Sequence, residues 1–408
     1  MLLRWLLVLF SFSLLVSQTA MDVFAGLVCL VTLYTGYRWR EQNSHHTIRN
    51  SSGADWLLLA WVGVVFVSYL STGFAYDNWW LEILNFKWLV VFYLLLAAIR
   101  YVQPKVSILP VVATVFGVCC LYAIVVWFLG FDPVRPGEAL ESLPDGTLRT
   151  GGFLSQPIVF AHLYQLPLCL IFASWLMVSR WRDRSQWILS ASLVLGLVAI
   201  LFSFSRGAWI SLAAAMLVMT YLRSRRVAFL FVIVSVVLFG AFYKLWPNFH
   251  QRIQYAIKGG DAERVWIWKA NLQIWQEHPI FGIGYEANKE ASKDYLEKLG
   301  APPETIISHA HNQYIHMLAG TGVVGLLIYL AVLGYFLQLS FRVWQSIGSR
   351  EAPEKGLALG LIGAQVAFIF GGLTEANLEH AKMKYILALI WALVVWMGYE
   401  YRILRERV

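Results

Sequence analysis

Apolar residues run through this chain in long blocks, separated at short intervals by polar and charged clusters. A block of roughly 20 apolar residues crosses a bilayer as a helix. Twelve blocks fit, at about 3–18, 20–36, 55–74, 80–99, 107–130, 153–178, 187–204, 207–222, 227–246, 312–340, 357–373 and 383–401. They predict an all-α polytopic membrane protein of about twelve transmembrane helices. Ser17–Ala20 offers small residues after the first block, as a signal-peptide cleavage site would. The second block follows almost at once, so the first reads as a retained anchor. Two polar connections are long. Residues 131–152 are rich in Pro and Gly and read as irregular loop. Residues 247–310 carry a helical segment around Glu263–Glu277, with Val265, Trp268, Leu272 and Trp275 at helical spacing, and a second around Glu286–Leu299 that stops at Gly300 and Pro302-Pro303. The first of these is amphipathic, suited to lying in the membrane interface or capping the bundle, or to packing on the rest of the loop. The chain thus divides into spans one to nine (1–246), a large loop (247–310) and spans ten to twelve (311–408).

Composition agrees. The 408 residues are 59% hydrophobic and 14% charged, against roughly 25% charged in a soluble domain. Lys and Arg alternate between the two sides. One set of connections holds 18 of them and the short connections of the other side hold Arg135, Arg149, Arg206, Lys382 and Lys384. Cytoplasmic loops carry the excess. Both termini therefore read as cytoplasmic, together with Asn50 and Ser224. Asp145, Ser292 and the large loop read as outside. The net charge of +8 is mostly this topological bias and calls for no nucleic-acid partner. Cys29, Cys119, Cys120 and Cys169 all fall in spans, form no Cys-x-x-Cys pair and imply no disulfide framework.

Candidate chemistry gathers on the outer side. His311 and Asn312 precede nine residues and then Gly322-Val323-Val324-Gly325. With Ser308 as N-cap, His311 would fall on the first turn of the tenth span. There an imidazole, the side chain most easily poised as a base near neutral pH, would sit beside the anion-binding end of a helix. His309 and Gln313 flank it, and His316 lies further along the span as a structural or functional histidine. Arg206 occupies a tight turn, Ser203-Phe204-Ser205-Arg206-Gly207, where it either snorkels to headgroups or binds an anionic substrate group. Arg264 opens the loop helix beside Glu263, with a local ion pair as the plainer reading. Arg149 precedes Gly151-Gly152 at the mouth of the sixth span, where it can also be a solvated loop residue. Arginine suits phosphate because its planar fork donates two parallel hydrogen bonds. Lys87 lies within a span and is either functional or paired with a buried acid or carbonyl. Among the outer acids Asp261, Glu263, Glu375 and Glu379, Asp261-Ala262-Glu263 is spaced like a weak metal pair. No His-x-x-x-His occurs, so a site without metal is expected. Gly322 and Gly325 read as points of close helix approach.

These elements, in this order, resemble the O-antigen ligases of Gram-negative bacteria, within a wider group that includes O-antigen polymerases and protein O-oligosaccharyltransferases. The ligase pattern of His, then Asn, Ser or Gln, nine residues and Gly-x-x-Gly is met by His311, Asn312, Gly322 and Gly325. The Ser-Arg-Gly turn is met at Ser205-Arg206-Gly207, the Arg and Trp of the outer helix at Arg264 and Trp268, and Pro-x-x-Gly-x-Gly at Pro279, Gly282 and Gly284. An Arg-x-x-Gly element is met loosely at Arg149 and Gly152. The resemblance spans about 149–325. It implies a membrane glycosyltransferase of the bacterial inner membrane, active at the periplasmic face without a cofactor. Its donor would be a glycan on undecaprenyl diphosphate and its acceptor lipid A–core oligosaccharide. His311 would serve as base and Arg206 and Arg264 as diphosphate ligands, with Arg149 as a further candidate for the diphosphate and His309, Asn312, Gln313, Trp268 and Lys87 as further substrate contacts. A polymerase using the same donor is the nearest alternative. A transporter or flippase for an anionic lipid-linked glycan would use the same arginines without breaking a bond.

Overall fold

The computed structural model describes residues 2–42, 52–75, 79–103, 109–143, 146–177, 184–258, 262–303, 305, 309–348 and 352–404. They form a helical bundle, with only two isolated β-bridges, both in the loop after the fifth span. Ser308, Asp261, Asn50 and Asp145 lie outside the described residues.

All twelve apolar blocks are helical. They are α1 (Leu2–Val16), α2 (Gln18–Gln42), α3 (Asp55–Leu70), α4 with α5 (Trp79–Leu84, Lys87–Val102), α6 (Leu109–Leu129), α7 (Pro157–Met177), α8 (Arg184–Phe202), α9 (Arg206–Arg223), α10 (Arg225–Leu245), α14 (Gln313–Ser346), α15 (Ala352–Gly371) and α16 (Ala381–Glu400). Among the described residues nine helical segments are long and apolar enough to cross a membrane. The other three of the expected twelve are α1 and α3, apolar but shorter, and α9, whose 18 residues begin and end on arginine. Between α10 and α14 lie α11 (Pro247–Ile257), α12 (Ala262–Glu277) and α13 (Ala287–Lys298).

Burial sorts the spans. Helix α7 is enclosed by α8, α9 and α15 and buries residues on every side, including His162 and Gln165. Helix α10 buries only Ala228 and is apolar all round. A helix of that kind is stable only where its other neighbour is lipid.

Helix α12 packs on α13 and α14, and it corrects the expected stripe. Its buried residues are Ile267, Ala270, Asn271 and Ile274, while Val265 and Leu272 are exposed. The helix is apolar on two sides, so spacing alone does not reveal which side meets protein. Lys87 is also displaced from mid-helix. The fourth span breaks at Asn85-Phe86, and Lys87 is the exposed first residue of α5.

The largest departure is in α14. Helical geometry fails at Gly322, which has φ 65° and ψ −170°. The Pro279–Gly284 segment of the loop fills the break. Val323 N–H donates to the Pro279 carbonyl (2.9 Å), Val324 N–H to Ile280 (3.2 Å) and Gly284 N–H to Gly320 (2.9 Å). A Cβ on Gly322 would lie 2.2 Å from the Ile280 oxygen, and one on Gly282, also at positive φ, 2.5 Å from the Gly320 backbone. Backbone therefore meets backbone where the sequence suggested a helix approaching a helix. The nine residues between Asn312 and Gly322 are a short helix, Gln313–Thr321, capped at one end and broken at the other.

Candidate active site

Six stretches of chain meet at one end of the bundle: the α1–α2 turn, the loop 131–156, the turn before α9, helices α11 and α12, the start of α14, and the connection 372–382. The start of α14 organises the centre. Its N-cap is Asn312, whose Oδ1 accepts from Tyr314 N–H (3.0 Å) and Ile315 N–H (3.1 Å). His311 therefore lies just before the helix rather than on its first turn. It adopts φ 46°, a region costly for a residue with a Cβ.

Several residues expected to touch substrate hold this backbone in place. Asn312 Nδ2 donates to the Leu373 carbonyl (3.0 Å). Gln313 is buried. Its N–H donates to Gly372 (2.7 Å) and its Oε1 accepts from Leu378 N–H (2.9 Å). Trp268 Nε1–H donates to the Ala310 carbonyl (2.7 Å), between the two histidines. Arg264 Nη1 donates to Thr374 (3.1 Å), next to Glu375. The expected site residues thus clamp 372–378 against 310–313, and that clamp places Glu375 beneath His311.

Glu375 is 1% exposed. Its Oε2 lies 3.2 Å from His311 Nδ1, and its Oε1 bonds His309 Nε2. His309 Nδ1 lies 2.6 Å from Glu379 Oε2, and Lys289 Nζ donates to Glu379 Oε1 (2.8 Å). Burial alone would lower the His309 pKa, but hydrogen bonds to Glu375 and Glu379 and their charges raise it to about 10. Burial likewise opposes ionisation of Glu375, and the bonds from His309 and His311 overcome it, holding the carboxyl well below its usual range. At neutral pH His309 is an imidazolium between two carboxylates. The Nδ1 edge of His311 thus faces Glu375, and its other ring nitrogen is Nε2.

His309, His311 and Glu375 also offer three ligand atoms within 4.8 Å of one another, the spacing a divalent cation can use. The hydrogen bonding just described competes with that use, because His309 is engaged through both ring nitrogens. His316, the other candidate in this helix, is buried, with Nε2 3.2 Å from Glu286 Oε2 and Nδ1 3.0 Å from Asn288 Nδ2.

Four arginines line a narrow pocket of about 40 Å³ on the other side of Glu375: Arg149, Arg206, Arg252 and Arg264, with His162 and Ser205. Arg149 is 4% exposed and pairs with Glu141. Its Nε donates to the Ser203 carbonyl (2.8 Å) and its Nη2 to Ser205 Oγ (2.9 Å). Burial lowers its pKa, and the positive charges of Arg264 and Arg206 act in the same direction. Arg206 is the first residue of α9, so the pocket also meets a helix N-terminus. A Cβ on Gly207 would lie 2.0 Å from Thr374 Oγ1, so this turn reaches the 372–378 connection only with glycine there. Arg252, on α11, donates to the Phe204 carbonyl (3.2 Å).

Sequence spacing missed Arg252 and left Glu375 without a role. Arg252 sits among other polar residues of a short amphipathic helix, with no motif to mark it. Glu375 announces itself only as an acid in a short connection between two spans. Lys87 does not line this pocket.

The fold and site together define a helical membrane bundle in which four arginines converge beside a histidine–carboxylate pair. Residues 191–330 match the model of the O-antigen ligase family. The match takes in Ser205-Arg206-Gly207, Arg252, Arg264, Trp268, the Pro279–Gly284 segment and the α14 motif through Gly325, while Arg149 and Glu375 fall outside it. No curated protein matched the chain.

Proposed function

We propose that this protein is an O-antigen ligase. It transfers a glycan from a polyprenyl diphosphate to lipid A–core oligosaccharide at the outer face of the bacterial inner membrane. The observation that carries this reading is the convergence of four arginines next to the His311–Glu375 pair. The arginines and the α9 N-terminus receive the diphosphate, and Arg206 and Arg264 bear on the leaving oxygen. Arg149, tied to Glu141 and Ser205, contributes charge and holds the Ser203–Ser205 turn.

A diphosphate needs charge neutralisation to leave more than it needs a proton. His311 Nε2 takes the proton of the acceptor hydroxyl as its oxygen attacks the anomeric carbon. The bond from that carbon to the phosphate oxygen breaks, and the electron pair departs with the diphosphate. The single displacement inverts the anomeric centre. Glu375 stabilises the imidazolium formed, as a carboxylate does for any histidine base. Activation is stored in the donor, so the step needs no cofactor.

The test is reconstitution. Purified protein in nanodiscs is mixed with lipid-diphosphate glycan and rough lipopolysaccharide, and the product is resolved on a gel. A ladder on the lipopolysaccharide is expected. Chain growth on the lipid diphosphate with no lipopolysaccharide consumed would make the protein a polymerase. Movement of intact donor between leaflets, with no bond broken, would make it a flippase.

A further inference from the structure

A second cavity opens on the far side of the 375–379 segment. It is a cleft of about 710 Å³ between the α1–α2 turn, the loop 131–156 and the start of α16. Its size lies in the range of small-molecule sites, roughly 300–1,000 Å³. The two cavities share a wall. At the start of α7, Ile158 and His162 face the arginine pocket, while Val159 and the preceding Gln156 face the cleft. In the connection between α15 and α16, Glu375 lines the pocket and Glu379 the cleft. His309, bonded to both carboxylates, bridges the wall, and its ring stands 4.3 Å from that of His311. A substrate in the cleft therefore meets this cluster at Glu379 and His380, with His309 bonded to Glu379 behind them, on the side opposite the arginines.

The lining is mixed. Phe153 is held flat against Tyr122, with centroids 3.9 Å apart and 6° between planes, and Leu154 adds to that apolar wall. Gln18 and Gln156 supply amides. Apolar surface beside amides suits the CH faces and hydroxyls of a sugar. Two cations complete the cleft. Arg135 is fixed by Asp132, with Nε to Oδ2 at 2.9 Å, and by the Gly152 carbonyl at 2.7 Å. Lys382 is 8% exposed, opens to the cleft and lies within the fields of Arg135 and Asp22. With the Arg135 guanidinium it forms the cationic part of a lining that also holds the Glu379 carboxylate, itself tied to His309 and Lys289. An anion entering the cleft meets Lys382 and Arg135.

We propose that this cleft binds the acceptor as an acidic saccharide, with Lys382 and Arg135 receiving its phosphate or carboxylate and the Phe153 wall receiving a sugar face. This rests on the transferase reading and adds where the acceptor sits and what charge it bears. The α1–α2 turn, at the end of an apolar helix, places the acceptor's lipid anchor alongside.

The experiment measures transfer against acceptor concentration for wild type, Lys382→Met and Gln156→Ala. The acceptor is oligosaccharide released from rough lipopolysaccharide by mild acid, used with its phosphates and after their removal by hydrogen fluoride. Loss of one charge-assisted contact should raise the acceptor KM of Lys382→Met by about tenfold for the phosphorylated form. The same variant should leave the donor KM unchanged and make little difference with the dephosphorylated form. Gln156→Ala should raise the acceptor KM for both forms. An unchanged acceptor KM in both variants would overturn the proposal. So would a Lys382→Met defect that follows the anionic phospholipid content of the nanodisc and not acceptor phosphorylation, because Lys382 would then hold a headgroup. Absence of transfer by the wild-type protein would instead refute the transferase reading itself.

Discussion

His311 and Glu375 form one unit, and their separate substitution distinguishes their roles. His311→Ala should lower transfer by about 10²–10⁴-fold, the usual value of a positioned base, with donor binding retained. If donor binding falls as far as transfer does, His311 is a phosphate ligand. Glu375→Gln keeps the size and can keep a hydrogen bond but loses the charge that stabilises imidazolium. It should lower kcat without raising the donor KM, and a rise in donor KM alone would count against this role. Arg206→Lys retains charge but not the planar fork, and it should be impaired if phosphate is held through two parallel bonds. Near-normal transfer at matched expression would mean that Arg206 only anchors α9. His309 yields a pH prediction. Its pKa is raised above the ordinary value on folding, so its contribution to stability is full below about pH 6.5 and is lost as pH rises toward about 10. Glu375 and Glu379 are lowered, so theirs is full above their ordinary range and is lost only in acid. These are two views of one set of contacts and are not additive. The thermal transition of the wild-type protein in detergent should therefore fall toward that of His309→Gln between pH 6.5 and 10. A constant gap across that interval would refute the bridging imidazolium.

Among the elements, α14 depends most on its neighbours. Its short segment Gln313–Thr321 is capped by Asn312 and broken at Gly322, and after the break Val323 and Val324 N–H donate to the Pro279 and Ile280 carbonyls. Gly322→Ala adds a methyl 2.2 Å from a carbonyl oxygen at a φ that disfavours it. It should lower the thermal transition and the transfer rate together, since the displaced loop also carries α12 and Arg264. A soluble, active Gly322→Ala protein would show that the break is not needed. The motif's spacing is legible in this light: nine residues are two and a half helical turns, enough to carry the chain from the histidine cluster to the inserted loop.

For the whole molecule, the alternation of charge predicts which end faces outward. Ser224 and the large loop are assigned to opposite sides. Ser292 is buried and unsuited to labelling, whereas Asp294 on the same helix is exposed. In a variant lacking the native cysteines, Asp294→Cys should react with an impermeant thiol reagent in intact spheroplasts, while Ser224→Cys should react only after lysis. Equal labelling of the two would undo the orientation. Chelators should leave transfer unchanged if the His309–His311–Glu375 group works through hydrogen bonds. Inactivation by chelation that is reversed by a divalent cation would make it a metal centre.

The twelve apolar blocks determined where the long helices run, because a bilayer rewards apolar runs whatever their neighbours. The same local logic marked His311 and Arg206, which stand at the edges of such runs, and Arg264, which opens a helix of the polar loop. Tertiary structure decided the rest. Arg252 and Glu375 reach the site from helices and connections far along the chain, and no spacing relates them to His311. The buried side of α12 was illegible because two of its faces are apolar. Asn312, Gln313 and Trp268 bond backbone that only folding brings near, and the break at Gly322 has a purpose only once Pro279–Gly284 lies against it. Local pattern fixes which segments enter the membrane, whereas the site is made from long-range hydrogen bonds and charge pairs that exist only between packed segments.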